Sequence, residues 1–174
     1  PDEKRGFNYY AILQYDNLQK GDDLGMAVRG EFAFLGKGEL ALSLAARPHS
    51  PVHLGADISM GLGVLDLNIE QAWTTNDSRI FYTGKVDPVT GSLPKGESNK
   101  DKWQQQTLIG LRYTLNYGSG SSLNMGLEGL LNGYGYSERD LELYSLLMQQ
   151  SKALYAGRTY MGAYVALPTP GSWN

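Results

Sequence analysis

Residues 52–62, Val-His-Leu-Gly-Ala-Asp-Ile-Ser-Met-Gly-Leu, alternate between larger apolar side chains and polar or small ones for eleven residues. Successive side chains of a β-strand point to opposite faces of its sheet. The alternation therefore predicts a strand with one apolar face and one polar face, the latter carrying His53, Asp57 and Ser59. This segment decides the fold class, because the same pattern recurs along most of the chain.

Seven further segments alternate in the same way, so we expect an all-β chain with about eight strands. The 22 glycines and 12 tyrosines among 174 residues also favour strands and turns over helices. A chain of this length has room for one domain with a core, so residues 1–174 are expected to form a single domain. The expected strands lie at about residues 7–15, 24–34, 39–46, 52–62, 65–73, 106–117, 123–132 and 158–167.

The connections between these strands alternate between short and long. The short ones, 35–38, 63–64 and 118–121, are glycine-rich, as tight hairpin turns require. Tight turns at one end and long loops at the other predict an antiparallel, up-and-down order that closes into a barrel. The long connections are 16–23, 47–51, 75–102 and 137–156.

Two of the long connections carry further signals. Residues 75–102 form a long, polar, solvated loop in which Asp87-Pro88-Val89-Thr90-Gly91 is a turn signature that could cap a small hairpin. Within residues 137–156, Ser137 is a candidate N-cap, and an apolar stripe at helical spacing follows it. This second pattern predicts one short loop helix from about Glu138 to Ala153.

The distribution of charge indicates what the two faces contact. All eight lysines are expected outside the strands. A strand face in water normally uses lysine freely, whereas an enclosed face suits arginine paired with carboxylates among small residues. We therefore predict a transmembrane β-barrel whose apolar face meets lipid and whose polar face lines the interior. The predicted pore-lining residues are Arg29, Glu31, Glu39, Arg47, Asp57, Asp66, Glu70, Arg112, Glu128 and Arg158.

The strand and turn series resembles bacterial outer-membrane β-barrels over nearly the whole chain. Residues 54–63 (LGADISMGLG) and 164–174 (YVALPTPGSWN) are similar in texture to porin-like barrels of Gram-negative bacteria. The resemblance implies a place in the bacterial outer membrane, with the short turns periplasmic and the loops outside. The aromatic residues near strand ends resemble interfacial girdles; they are Phe34, Trp73, Trp103, Tyr117 and Tyr136.

The end of the chain departs from that pattern. Outer-membrane barrels usually finish on a strand with a final aromatic residue, whereas this chain ends Pro-Gly-Ser-Trp-Asn, which is a turn composition. Two expectations stay open: a barrel of these eight strands, or a part of a wider barrel whose next strand follows Asn174.

Catalytic and metal chemistry find little support in the sequence. The absence of cysteine excludes thiol catalysis and iron–sulfur ligation, and a net charge of −3 argues against a nucleic-acid partner. His53 and Asp57 share a strand face but lie about 13 Å apart along it, too far for a base and its orienting carboxylate. The loops lack the spacing of a calcium site. We therefore predict that the protein is not an enzyme, with no catalytic residues, metal site or cofactor.

Three functions from different classes remain. The preferred one is a porin-like passive channel for small polar solutes, with the outer-membrane bilayer as its surroundings. The alternative is a non-conducting anchor, adhesin-type or structural barrel with a filled polar lumen. A soluble lipocalin-like ligand binder is the third, and it requires the apolar faces to point inward. A homo-oligomer or a partner protein is compatible with the first two.

Overall fold

The structure, a computed structural model, describes residues 6–16, 23–34, 36–75, 80–87, 89–98, 101–117, 121–136 and 157–167. Within them it has ten β-strands, and eight of these coincide within a few residues with the expected ones. The strands are β1 (Phe7–Asp16), β2 (Asp23–Phe34), β3 (Gly38–Ala46), β4 (Val52–Leu62), β5 (Leu65–Thr75), β6 (Ile80–Thr83), β7 (Lys95–Ser98), β8 (Gln104–Tyr117), β9 (Ser121–Asn132) and β10 (Thr159–Ala166).

Eight strands form one antiparallel sheet in the order β1-β2-β3-β4-β5-β8-β9-β10. The predicted all-β class and up-and-down order are therefore confirmed. The sheet is open, however: in the part of the chain that the structure describes, β1 and β10 are its two edges and do not pair with each other. The structure therefore does not show the closed barrel that is expected from the sequence.

The loop between β5 and β8 holds the remaining two strands. β6 and β7 pair antiparallel as a separate small sheet, so the turn signature at Asp87 does cap a hairpin. The Asp87 carboxylate accepts the backbone N–H groups of Val89 at 2.8 Å and Thr90 at 3.4 Å, which lowers its pKa. One of the eight lysines, Lys95, consequently lies in a strand, although not in the main sheet.

This hairpin packs against the segment after β9, so the loop is more than solvated chain. The Tyr82 backbone N–H donates to the Tyr136 hydroxyl at 3.0 Å, and the rings of Phe81 and Tyr134 stack with centroids 6.0 Å apart. Val86, which is 8% exposed, packs against Tyr82 and Tyr136. Aromatic contacts therefore fix the hairpin at the loop end of the sheet.

The predicted loop helix from Glu138 to Ala153 lies outside the described residues. No helix among the residues that the structure describes is long and apolar enough to cross a bilayer.

The two-residue turn between β4 and β5 depends on a backbone conformation that favours glycine. Leu62 and Leu65 are paired, so Gly63 and Val64 make the whole connection. Gly63 has φ of 71°, as the first central residue of a type II′ turn requires. A Cβ at this position would meet no atom within 4 Å, so conformation and not space requires the glycine.

We expect Gly63→Ala to lower the free energy of unfolding by about 1–2 kcal/mol, because an L side chain is strained at positive φ. Gly129→Ala is the matched control: a Cβ there would also meet no atom within 4 Å, but Gly129 lies in the extended backbone of β9. Urea unfolding of both variants measures the difference. Equal unfolding free energies for the two variants would show that the turn conformation is not the constraint.

Candidate functional site

Strand pairing aligns the apolar residues of neighbouring strands into one continuous surface. Leu40 faces Ile58, Ile58 faces Ile69 and Ile69 faces Ile109, so that one row crosses four strands. The same register holds across the other pairs, because each strand offers its alternate residues to the same side. We call this surface the apolar face.

Large side chains of the apolar face are open to their surroundings. Leu42 is 49% exposed, Leu111 42% and Leu127 61%, although all three lie within the sheet and away from its ends. A sheet in a water-soluble domain buries its apolar face against a second layer. The described residues supply no such layer on this side of the sheet.

The opposite surface, which we call the polar face, carries the charges. All eight charged residues of the main sheet with described side chains lie on it, which brings together most of the predicted pore-lining set. Arg47 directly follows β3 and Arg158 directly precedes β10, so these two lie at strand ends instead of within strands. The eight are Arg29, Glu31, Glu39, Asp57, Asp66, Glu70, Arg112 and Glu128.

Arg29 joins two strands that are not neighbours. Its guanidinium donates to both oxygens of Asp57, at 2.9 and 3.1 Å, and its Nε donates to Glu31 at 2.9 Å. Arg29 lies on β2 and Asp57 on β4, and between them β3 presents Ala41, which has no exposed surface. Only a small side chain at Ala41 leaves room for this bidentate pair to pass over β3. Tyr10 adds a hydroxyl donor to Glu31 at 3.2 Å.

A second ion pair lies on β5 and β8. Arg112 donates through Nε and a terminal nitrogen to one oxygen of Asp66, at 3.0 and 2.8 Å. These two residues, with Asn68, Glu128 and Tyr164, line a cavity of about 520 Å³ on the polar face. The cavity exists because the strands carry small residues between the charged ones, such as Gly61 and Gly110.

The charge of the polar face is unbalanced. Among the main-sheet residues with described side chains, six carboxylates and two arginines lie on this face, and the two arginines are both engaged in the pairs above. Among the described residues, Glu39, Glu70 and Glu128 take part in no ion pair; Glu70 accepts a hydrogen bond from Asn68 at 2.9 Å. The surface is therefore negative overall and would attract cations in preference to anions.

His53 and Asp57, which the sequence places too far apart to act as a base and its orienting carboxylate, have separate partners. The His53 ring nitrogen Nδ1 lies 3.1 Å from the Thr74 hydroxyl, while Asp57 is held by Arg29. His49 lies in the turn after β3, with φ of 58°. In the described ranges no three His, Asp or Glu side chains converge as a metal-ligand set.

Sequence reasoning missed two aromatic residues of the polar face. Tyr10 contacts Glu31, and Tyr164 covers Gly126, where a Cβ would clash with the tyrosine ring. In β1, tyrosine occurs on both faces, so composition alone does not orient this strand. Their places in the alternation assign them to the polar face, because Tyr10 is paired with Arg29 and Tyr164 with Gly126.

No protein-family model matches this chain, and neither a curated protein nor a solved structure matches it.

We expect Ala41→Leu to lower the free energy of unfolding by about 1–3 kcal/mol, because the larger side chain must displace the Arg29–Asp57 pair. Ala33→Leu is the control, since Ala33 lies exposed on the same face of the adjacent strand β2. Thermal or urea unfolding compares the two. Equal stability of both variants would mean that the pair does not depend on the space above Ala41.

Proposed function

We propose that this chain forms the wall of a bacterial outer-membrane β-barrel, and that its polar face lines a porin-like passive channel for small polar solutes. The observation that carries the proposal is the separation of side chains onto two faces: large aliphatic residues lie on one face of the sheet, and ion-paired residues among small ones lie on the other. A barrel in lipid has this arrangement, with its apolar residues outward and its interior polar.

The dimensions of the apolar face support a bilayer as its surroundings. β4 has 11 residues and is about 36 Å long at roughly 3.3 Å per residue. Tilted by about 45°, it spans about 26 Å, close to the roughly 25 Å apolar band of outer-membrane barrels. Trp103, at the loop end of β8, is 53% exposed, where an interfacial aromatic residue would lie.

Polar residues occur on the apolar face near its loop end, among them Gln71, Gln105 and Thr107. Gln71 and Thr107 are neighbours across β5 and β8 near the loop end. The Thr107 hydroxyl donates to the Gln71 side-chain oxygen, so these groups partly satisfy each other. A polar side chain in hydrocarbon requires such a partner, whereas one in water does not.

The alternative function is a non-conducting anchor, adhesin-type or structural barrel. Eight strands closed on themselves leave an interior wide enough only for side chains. The Arg29–Asp57 and Arg112–Asp66 pairs, set among small residues, would suit such a polar core. A soluble lipocalin-like binder is the third candidate; it would require the apolar side chains to face an enclosed interior and the two ion pairs to face water.

The orientation of the two faces can be tested without assuming conduction. We expect Ile58→Lys to lower the free energy of unfolding in lipid vesicles by about 2–4 kcal/mol, because it puts a charge into hydrocarbon near the bilayer midplane. Ser59→Lys, one residue away on the polar face, is expected to change it by less than about 1 kcal/mol. If the apolar face met water, Ile58→Lys would be as mild as the control.

Planar-bilayer recording tests the channel itself, and we expect ohmic conductance with cations preferred over anions. Arg112→Ala should raise the cation preference and Glu128→Ala should lower it, because each changes the charge of the lumen by one unit. Leu127→Met, next to Glu128 in sequence but on the apolar face, should leave the reversal potential unchanged. Absence of conductance from protein that has inserted into the bilayer would reject the channel in favour of the filled barrel.

A further inference from the structure

We propose that the two edges of the sheet, β1 and β10, are pairing sites for a second copy of this chain, so that two copies close into one barrel of sixteen strands. The inference rests on the proposed function, because only a sheet that spans a bilayer and lines a water-filled lumen has to close into a barrel. The partner is defined by its chemistry: an alternating β-strand with its apolar side outward, which each copy offers to the other.

The edges are long enough to pair over most of a bilayer. β1 has 10 residues and β10 has 8, and each has a strand neighbour on one side only within the described residues. Water satisfies the outward backbone groups of an edge strand, but hydrocarbon does not. A sheet that spans a bilayer must therefore pair both edges.

Neither edge carries the devices that keep edge strands apart in soluble proteins. Such edges are usually protected by lysine, other inward-pointing charges or proline. β1 reads FNYYAILQYD, with a single charge at its last residue, and β10 reads TYMGAYVA, with none. Neither contains proline. Strands of this composition are suited to acquire a neighbour.

The directions and faces of the two edges are compatible with each other. Because every neighbouring pair in the eight-stranded sheet is antiparallel, its first and last strands run in opposite directions. Leu13 of β1 and Val165 of β10 both lie on the apolar face. β10 of one copy can therefore lie antiparallel to β1 of the other, with the apolar faces continuous and all long loops at one end.

The number of strands selects a second copy over closure of one chain on itself. Eight strands leave an interior filled by side chains, whereas roughly sixteen to eighteen leave an aqueous channel. The eight main-sheet strands that the structure describes, taken from each of two copies, give sixteen. A two-fold axis along the barrel makes both junctions identical, and two-fold symmetry is the commonest form of oligomer.

Cysteine cross-linking tests the junction directly, because the native chain contains no cysteine. One population carries Ala11→Cys, at the middle of β1, and a differently tagged population carries a cysteine in β10. Separate variants at Met161, Ala163 and Val165 allow for a shift of two residues in register. The two populations are folded together into vesicles and oxidised, and non-reducing electrophoresis reports the products.

We expect a doubly tagged dimer from at least one of these pairs. Ala56→Cys, on the apolar face of the central strand β4, replaces the β10 cysteine as control and should give no dimer. An Ala11→Cys/Ala163→Cys double variant that gives only an internally linked monomer would overturn the inference in favour of eight-stranded closure. Conductance without dimer at any β10 position would also overturn it while leaving the channel intact; dimer without conductance would instead reject the channel.

Discussion

The pairing register of the eight-stranded sheet is the constraint on which the remaining features depend. Because side chains alternate with a period of two, a slip of one residue between any two strands would exchange the faces of all strands beyond it. The structure keeps one phase from β1 to β10: Val28 faces Leu44, Leu44 faces Leu54, and Leu54 faces Trp73. Tight turns such as Gly63-Val64 hold this phase, since a two-residue connection allows little freedom in register.

Because the register is constant across the sheet, the charged side chains lie together on one face and the apolar side chains on the other. Arg29 can reach Asp57 two strands away only because the register sets Ala41 between them, and the same register gathers Glu39, Glu70 and Glu128 on that surface. The favourable pairs and the excess of negative charge thus have a common origin. A polar core would be expected to balance its charges, whereas a water-filled lumen tolerates an excess that hydration and counter-ions offset.

Much of the sheet could be predicted from the sequence, because alternation is a local signal. Residues 52–62 were expected as a strand and form β4 with the same bounds. Contacts between residues remote in sequence could not be predicted from the alternation. Arg29 and Asp57 are 28 residues apart, and Tyr82 and Tyr136 are 54 residues apart. The short strands β6 and β7 show too few residues for a period to be seen, so only their turn was recognisable. Whether the sheet closes could also not be predicted from the alternation, because alternation defines the faces of a sheet and not what its edges contact.

The open edges are where the surroundings of the protein matter most. About half of the residues of an edge strand direct both their N–H and C=O groups outward, so two edges of 10 and 8 residues present roughly eighteen such groups. In water these groups are hydrated at little cost. In hydrocarbon each costs several kcal/mol, so the sum is tens of kcal/mol and exceeds the roughly 5–15 kcal/mol by which a folded domain is stable. In the proposed bilayer the exposed apolar face would be stable, but the open edges would not, so each edge must pair, either with the other edge or with a strand of another copy.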